Sequence, residues 1–146
     1  MPSVQPAPDR VPRWRIETIG LYTTQDERDE ERAITWAIMG RPVPRAIEVR
    51  HMVNPWHRAL WWALLMVGAW EGKATPVRVA RALRRGKAWG PWLMPELAEL
   101  VELGAYVSTE PDWARIVERA EQRLKVLELE RAAEDQRWFF TGQRAF

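Results

Sequence analysis

The 146-residue sequence contains no cysteine, which excludes disulfide bonds, zinc bound by thiolates and catalysis by a thiol. Serine and histidine are almost as scarce. The two serines, Ser3 and Ser108, lie in a proline-rich segment and at a predicted helix start, and neither position suits a nucleophile beside a base. The two histidines, His51 and His57, flank another predicted helix start and do not share a helix face as zinc ligands would. We therefore expect no enzymatic activity, no metal and no cofactor.

Two other features fall short of a catalytic or phosphate-binding signature. The stretch Gly72-Lys73-Ala74-Thr75 is similar to the end of a phosphate-binding loop, but Val67 stands where that loop needs its first glycine, and alanine follows the lysine. Carboxylates crowd only at the start of the first predicted helix, at Asp26, Glu27, Asp29, Glu30 and Glu31. Exposure to solvent and the favourable field of the helix N-terminus explain these acids without a role in acid–base catalysis.

No apolar run in the sequence is long enough to cross a membrane. The longest, Ala59–Trp70, has 12 residues, whereas a spanning helix needs about 20. This run includes Trp61 and Trp62 and is predicted to be a buried core helix, with a helix lying in a membrane interface as the alternative. Residues 1–13 carry four prolines and no apolar signal-peptide core, so we expect an extended arm and a protein of the cytoplasm or of a virion.

The rest of the sequence predicts a mainly α-helical fold, a compact domain of about five helices that ends in a long C-terminal helix. Capping residues, prolines and glycines predict helices over residues 24–39, 54–70, 75–86, 95–103 and 112–140. The first is predicted to start at a capping box formed by Thr24 and Glu27. The expected organisation is a proline-rich arm over residues 1–13, a helical core domain over 14–110, and a long C-terminal helix and tail over 111–146.

A minor two-stranded β element is an open alternative within this helical fold. Polar and apolar residues alternate over residues 14–22 and again over 46–53. The second segment fits a helical turn after Pro44 nearly as well, so the sequence leaves it ambiguous. A very short strand over residues 105–107 is a further alternative.

Charge is segregated along the chain, although 22 basic and 20 acidic residues give a net charge of only +2. A block without acids contains Lys73, Arg78, Arg81, Arg84, Arg85 and Lys87. A block without bases follows and contains Glu96, Glu99, Glu102, Glu110 and Asp112. At about 100° per residue, Val79 and Leu83 fall on one helix face and Arg78, Arg81 and Arg85 on the other. Neither block contains the opposite charges at i,i+4 that are usual on a merely solvated helix, so both are predicted to face a partner.

The order of elements over residues 55–107 resembles the winged helix-turn-helix family. A buried helix, a helix beginning at Thr75-Pro76, a turn, a helix ending at Gly104 and the stretch Ala105-Tyr106-Val107 carry this resemblance, which covers about a third of the chain. The resemblance implies that the helix bearing Glu96, Glu99 and Glu102 enters the DNA major groove, where phosphates would repel those acids. Backbone contacts would then fall to Arg78, Arg81, Arg84, Arg85 and Lys87 with Trp89 and Trp92. Winged-helix domains also serve as protein-interaction modules.

The charge blocks lead to two functional hypotheses. The first is a non-enzymatic helical assembly subunit of a homo-oligomer or larger complex, with a bacteriophage structural or packaging component as the expected setting. The basic helix of one copy would meet an acidic surface of another, either Glu96, Glu99 and Glu102 or the acids of residues 26–31. The expected aromatic anchors are Trp89, Trp92, Phe139 and Phe140. The alternative is a winged-helix-type DNA-binding regulator or packaging factor that uses the basic helix 75–87.

Overall fold

The computed structural model describes residues 22–86, 93–104 and 109–141, and most of these residues are helical, which confirms the mainly α fold. The α-helices of this part of the chain are α1 (Thr24–Ile38), α2 (Pro55–Met66), α3 (Pro76–Arg85), α4 (Leu93–Gly104) and α5 (Trp113–Thr141). Two short 3-10 helices cover Val49–His51 and Ala69–Glu71. No strand occurs within the described ranges. Of the possible strands, all of 105–107 and all of 14–22 except Tyr22 lie outside these ranges.

The capping box at the start of helix α1 lies one residue earlier than the sequence pattern predicts. Its N-cap is Thr23, whose hydroxyl accepts a hydrogen bond from the backbone N–H of Asp26 at 3.2 Å. The carboxylate of Asp26 in turn accepts the backbone N–H of Thr23 at 2.8 Å, which completes a capping box. The prediction of Thr24 with Glu27 was therefore wrong by one position. The helix ends before Gly40, whose φ of +80° is the left-handed conformation that suits glycine.

The segment over residues 46–53 is not a strand. Its centre is the 3-10 helix Val49–His51, in which the ring nitrogen Nδ1 of His51 accepts the backbone N–H of Glu48 at 2.9 Å. This turn places both Ile47 and Met52 in the core, although they are five residues apart and do not fit a period of two. The helical alternative for this segment is the one that the structure shows.

Proline and a capping side chain start both α2 and α3, as the sequence predicts. The Asn54 side chain accepts the backbone N–H of Trp56 at 2.9 Å, and Pro55 takes the first helical position. Thr75 caps α3 in the same way by accepting the backbone N–H of Arg78 at 3.2 Å. Because a proline at this position needs no hydrogen-bond partner for its nitrogen, each helix begins without an unpaired donor there.

The core lies between the five α-helices. Its buried side chains include Ile34 and Ile38 of α1, Leu60, Trp61 and Leu64 of α2, Val79 and Leu83 of α3, Leu97 and Leu100 of α4, and Ile116 of α5. Helix α4 lies close against α1 because Gly104 has no side chain; a Cβ there would come within 2.9 Å of Met39 Cγ. None of the described helices is both long and apolar enough to span a membrane.

Helix α2 is not buried on every side, contrary to expectation. Trp61 and Leu64 are fully buried, but Met66 is 64% exposed and Trp62 is only partly covered. One stripe of this apolar helix therefore opens to solvent beside α3. This opening forms the floor of the groove described below.

Candidate functional site

A groove of about 310 Å³ runs between α2 and α3. Its lining combines an apolar floor with arginines and consists of Trp62, Met66, Val67, Arg78, Arg81, Ala82 and Arg85. No acidic residue belongs to this lining. We refer to it as the basic groove.

The amphipathic pattern of α3 places the arginines at the rim of this groove. Val79 and Leu83 are fully buried against the core, whereas Arg78, Arg81 and Arg85 are exposed. The three arginines are spaced at i, i+3 and i+7, so they follow one side of the helix over two turns, about 10 Å. This geometry confirms the orientation of α3 that the sequence predicts.

The floor of the basic groove depends on a glycine. The six-membered ring of Trp62 lies against the C-terminal end of α3 at Gly86, where a side-chain carbon would come within 2.6 Å of Trp62 Cζ3. Gly86 has a φ of −80°, so any residue could adopt its backbone conformation. Glycine is needed there because the ring leaves no space for a Cβ, and the ring position in turn sets the depth of the groove.

Within the described residues, the rim arginines are poorly neutralised. The guanidinium of Arg78 donates to the backbone carbonyl of Lys73 at 3.2 Å, which leaves its charge uncompensated. Among the described residues, Arg81 and Arg85 have neither a hydrogen-bond partner nor an ion-pair partner for their side chains. The basic groove thus offers positive charge beside an exposed apolar floor.

The other predicted basic and aromatic site residues do not join this groove in the described structure. Arg84 is exposed on α3 but is not part of the lining. Lys87, Trp89 and Trp92 lie outside the described residues. Phe139 and Phe140 belong to α5, in a part of the helix whose side chains are not described.

The predicted acidic residues lie on α4, on a different side of α3. Glu102 borders a second groove, of about 420 Å³, whose other lining residues are Pro76, Val77, Ala80, Leu97, Ala98 and Val101. Glu99 is exposed on the same helix, and the side chain of Glu96 is not described. None of these acids belongs to the lining of the basic groove.

The acids at the start of α1 have a different role from the one that the sequence suggests. Asp26, Asp29 and Glu30 are buried, and Glu30 is only 1% exposed. Glu30 accepts hydrogen bonds from the hydroxyl of Tyr22 at 2.9 Å, from Nδ1 of His57 at 2.7 Å and from the backbone N–H of Val53 at 2.9 Å. The explanation by solvation was wrong, because this carboxylate joins α1 to the start of α2 from inside the protein.

Arginines of α5 neutralise the other two buried acids. Arg119 donates two hydrogen bonds to Asp26, at 3.0 and 2.9 Å, and Arg115 donates two to Asp29, at 3.0 and 2.6 Å. Arg123 is only 5% exposed, and its Nη1 lies 3.4 Å from Asp26 Oδ1 as an ion pair without hydrogen-bond geometry. These acids are therefore internal ion-pair partners, so they are not the surface that a second subunit could meet.

The pKa values of this internal cluster follow from burial and charge. Burial alone would raise the pKa of Asp26, but the hydrogen bonds from Arg119 and Thr23 and the charge of Arg123 outweigh it and lower the pKa from 3.8 to about 2. Burial lowers the pKa of Arg123 against the opposing attraction of Asp26 and Glu30. The carboxylate of Asp26 is thus held in its charged form, as a structural ion pair requires.

Sequence reasoning missed this cluster, although the sequence contains a signal for it. Arg115, Arg119 and Arg123 recur every four residues along one side of α5, and Asp26 and Asp29 recur within one turn of α1. Two matching stripes of opposite charge on separate helices indicate that the helices pack together. Within the described residues, no group of three or more histidine, aspartate or glutamate side chains is arranged to hold a metal ion.

Two surfaces thus differ in what they can do chemically. The buried cluster has its acids saturated by donors, so it holds helices together, whereas the basic groove has unpaired cations beside apolar surface and can bind an anionic, partly apolar ligand. Searches against protein-family models, curated proteins and solved structures gave no match to this chain.

Proposed function

We propose that this protein is a non-enzymatic assembly subunit that binds an acidic, amphipathic helical segment of a protein partner in its basic groove. One observation carries the proposal: Arg81 and Arg85 lack partners in the described structure and stand at the rim of an apolar floor formed by Trp62, Met66 and Val67. A helix with an apolar stripe bordered by carboxylates matches both properties of this surface.

Apolar contact supplies the affinity in this proposal, and charge supplies the orientation. Burial of apolar surface contributes about 25 cal/mol per Å², whereas an exposed ion pair contributes about 0 to 1 kcal/mol. The exposed Met66 and the ring of Trp62 are therefore the main source of binding energy. The arginines select a partner with acids at the matching positions and fix its register.

DNA binding through α3 is the second candidate. The exposed arginines Arg78, Arg81, Arg84 and Arg85 on one helix favour it, because such a row can contact successive phosphates. Two features count against it: the apolar floor gains nothing from phosphate, and Glu99 and Glu102 are exposed on α4, the helix that a winged-helix domain would insert. The bacteriophage setting stays a prediction from the sequence.

A direct competition between the two ligand classes tests the proposal. The binding of two fluorescent probes is followed by anisotropy: a synthetic amphipathic helix of leucine and glutamate, about 15 residues long, and a DNA duplex of arbitrary sequence. The informative variant is Arg81→Glu with Arg85→Glu. Its matched control is Arg28→Glu with Arg32→Glu, which makes the same charge change at two exposed arginines of α1 that lie outside the groove.

The proposal expects the peptide to bind the wild type and the α1 control equally, and to bind the groove variant at least about ten-fold more weakly. Circular dichroism should show the same helix content for all three proteins. Equal peptide binding by the groove variant and the control would overturn the proposal. Tight DNA binding that falls steeply with salt and disappears only in the groove variant would establish the DNA candidate instead.

A further inference from the structure

The distal part of α5 extends away from the helical core. From Leu127 to Gln136 every side chain is exposed, and Leu129 is 61% exposed. The contacts of α5 with the core come from its first part, where Ile116, Ala120 and Arg123 are buried. We call residues 126–136 the α5 arm.

The α5 arm carries its own amphipathic pattern on the side opposite to that core contact. At about 100° per residue, Leu129 lies roughly 150° around the helix from the buried stripe of Ile116, Ala120 and Arg123. Val126 and Ala133 fall on the same side as Leu129 and extend it to an apolar stripe of two turns. Leu129 and Ala133 of this stripe are exposed in the described structure, and Val126 is half-buried.

Glu130 borders the apolar stripe of the arm on one side, and Glu128 lies beyond Lys125 on the other. Glu128 and Glu130 flank Leu129, at roughly 100° to either side of it around the helix, and both are exposed. Neither has an ion-pair partner among the described residues. The arm also carries more acids than bases, with Glu128, Glu130, Glu134 and Asp135 against Arg131. It therefore combines an exposed apolar side chain with negative charge, the two properties that the basic groove requires of a ligand.

We propose that the α5 arm of one copy of this protein occupies the basic groove of a second copy. This inference rests on the proposed function and names its partner. The spacing agrees on the two surfaces: Val126, Leu129 and Ala133 are at i, i+3 and i+7, and so are the rim arginines of α3. Each row covers about 10 Å along its helix, so the apolar row matches the length of the groove.

In this register Leu129 contacts the floor of the groove at Trp62 and Met66. Glu130, the acid nearer to the apolar stripe, lies beside the rim arginines, and Glu128 lies on the other side of the arm. A reciprocal pair of such contacts, related by a two-fold axis, forms a closed dimer in which each copy contributes one arm and one groove. If the rotation between copies does not close, the same contact forms a longer chain of subunits. The mass of the native particle distinguishes these two arrangements.

Static light scattering over a range of protein concentrations tests the inference with variants in which the charges of the groove or of the arm are reversed. The groove variant is Arg81→Glu with Arg85→Glu, the arm variant is Glu128→Arg with Glu130→Arg, and the control is Arg28→Glu with Arg32→Glu. All of the changed residues are exposed, so circular dichroism should match that of the wild type. The monomer mass for reference is 17.1 kDa.

We expect the wild type and the control to associate, and each of the other two variants to associate at least about 100-fold more weakly, because like charges then meet in the contact. Mixing the groove variant with the arm variant should restore association, since reversed groove meets reversed arm and native groove meets native arm. A chain that carries all four reversals should also associate with itself. Leu129→Asp should also weaken association, because a carboxylate then replaces the apolar contact with the floor of the groove.

The possible failures of the two proposals differ. An arm variant that keeps the wild-type mass while the groove variant becomes monomeric would overturn this inference and leave the proposed function standing. A wild type that stays monomeric at every concentration would also overturn it, while the peptide assay decides the proposed function separately. A groove variant that keeps its mass and also binds the peptide normally would overturn both.

Discussion

Arg119 on α5 and Arg81 on α3 are both on amphipathic helices, but their surroundings are opposite. Arg119 donates two hydrogen bonds to the buried carboxylate of Asp26 and, together with Arg123, neutralises it. Arg81 stands at the rim of the basic groove with no partner among the described residues. The first arginine is part of the folded structure, whereas the second remains available to a ligand.

The comparison shows that the role of an arginine is set by the helix across from it. The first part of α5 packs on the acidic turn of α1, so its arginines meet carboxylates that are already removed from water. The rim of α3 faces Met66 and Trp62 of α2, which offer no charge. A buried charge without its partner is costly, whereas an exposed arginine is solvated and can be exchanged freely.

The largest effect is expected when the buried cluster loses its central negative charge. Asp26→Asn keeps the shape of the side chain and part of the capping box but leaves Arg123 buried without its nearest counter-charge. We expect the free energy of unfolding in urea at neutral pH to fall by about 3 to 5 kcal/mol.

The control for this change is Glu102→Gln, the same kind of neutralisation at an exposed acid of α4. It should change the free energy of unfolding by no more than about 0.5 kcal/mol. Equal midpoints of urea unfolding for the two variants would contradict the internal role assigned to Asp26. The arginines of α5 would then have no structural role that distinguishes them from those of α3.

The pH dependence of stability gives the second largest effect. Because the pKa of Asp26 is lowered from 3.8 to about 2 by folding, its contribution is complete above pH 4 and is lost as the pH falls from about 4 to about 2. A shift of this size corresponds to about 2 kcal/mol. The difference in unfolding free energy between the wild type and Asp26→Asn should therefore narrow by about 2 kcal/mol between pH 5 and pH 2. A constant difference over this range would show that Asp26 does not titrate as proposed.

A third test addresses the groove rather than the buried cluster. Gly86→Ala places a methyl group against the ring of Trp62, so the ring must move, and we expect a loss of about 1 kcal/mol in the free energy of unfolding together with weaker peptide binding. Trp62→Leu removes the ring that creates the conflict. In the Trp62→Leu background, Gly86→Ala should not lower the free energy of unfolding. An undiminished loss there would show that the position of the ring does not depend on Gly86.

Local signals in the sequence predict much of the fold and one side of the groove. Asn54-Pro55 and Thr75-Pro76 mark the starts of α2 and α3, because a side-chain cap followed by proline is specific to a helix N-terminus. The helical period of α3 likewise predicts, from neighbouring residues alone, that its arginines face outward. These features depend only on neighbours within one or two turns.

The features that the sequence does not reveal depend on distant contacts. The acids of α1 look solvated because five of them fall within six residues. Two of the three that are buried, Asp29 and Asp26, are paired with arginines 86 and 93 positions later in the chain. The floor of the groove is equally hidden, since α2 is apolar on most sides and nothing local indicates which stripe remains open. In both cases packing between helices determines which residues are buried, and the helical period of one segment does not show which helix packs against it.

The smallest expected effect is a change in the free energy of unfolding that has opposite signs for an arginine of α3 and an arginine of α5. Glutamine has nearly the same helix propensity as arginine, so Arg→Gln isolates the charge. Arg81 has like charges at i−3, i+3 and i+4, namely Arg78, Arg84 and Arg85, and each close pair of like charges destabilises a helix by a few tenths of a kcal/mol. We therefore expect Arg81→Gln to raise the free energy of unfolding by about 0.2 to 0.5 kcal/mol at low ionic strength.

The same substitution at Arg119 should act in the opposite direction. It removes two hydrogen bonds from Asp26, and because the Arg119 side chain is 38% exposed we expect a loss of only about 1 kcal/mol. Added salt should abolish the gain at Arg81, since exposed charges are screened, but should leave most of the loss at Arg119, whose carboxylate partner is buried. Urea titrations at low and high salt measure both. A loss of stability at Arg81, or a loss at Arg119 that disappears with salt, would mean that the two helices use their arginines alike and that the basic groove is no more open to a ligand than α5 is.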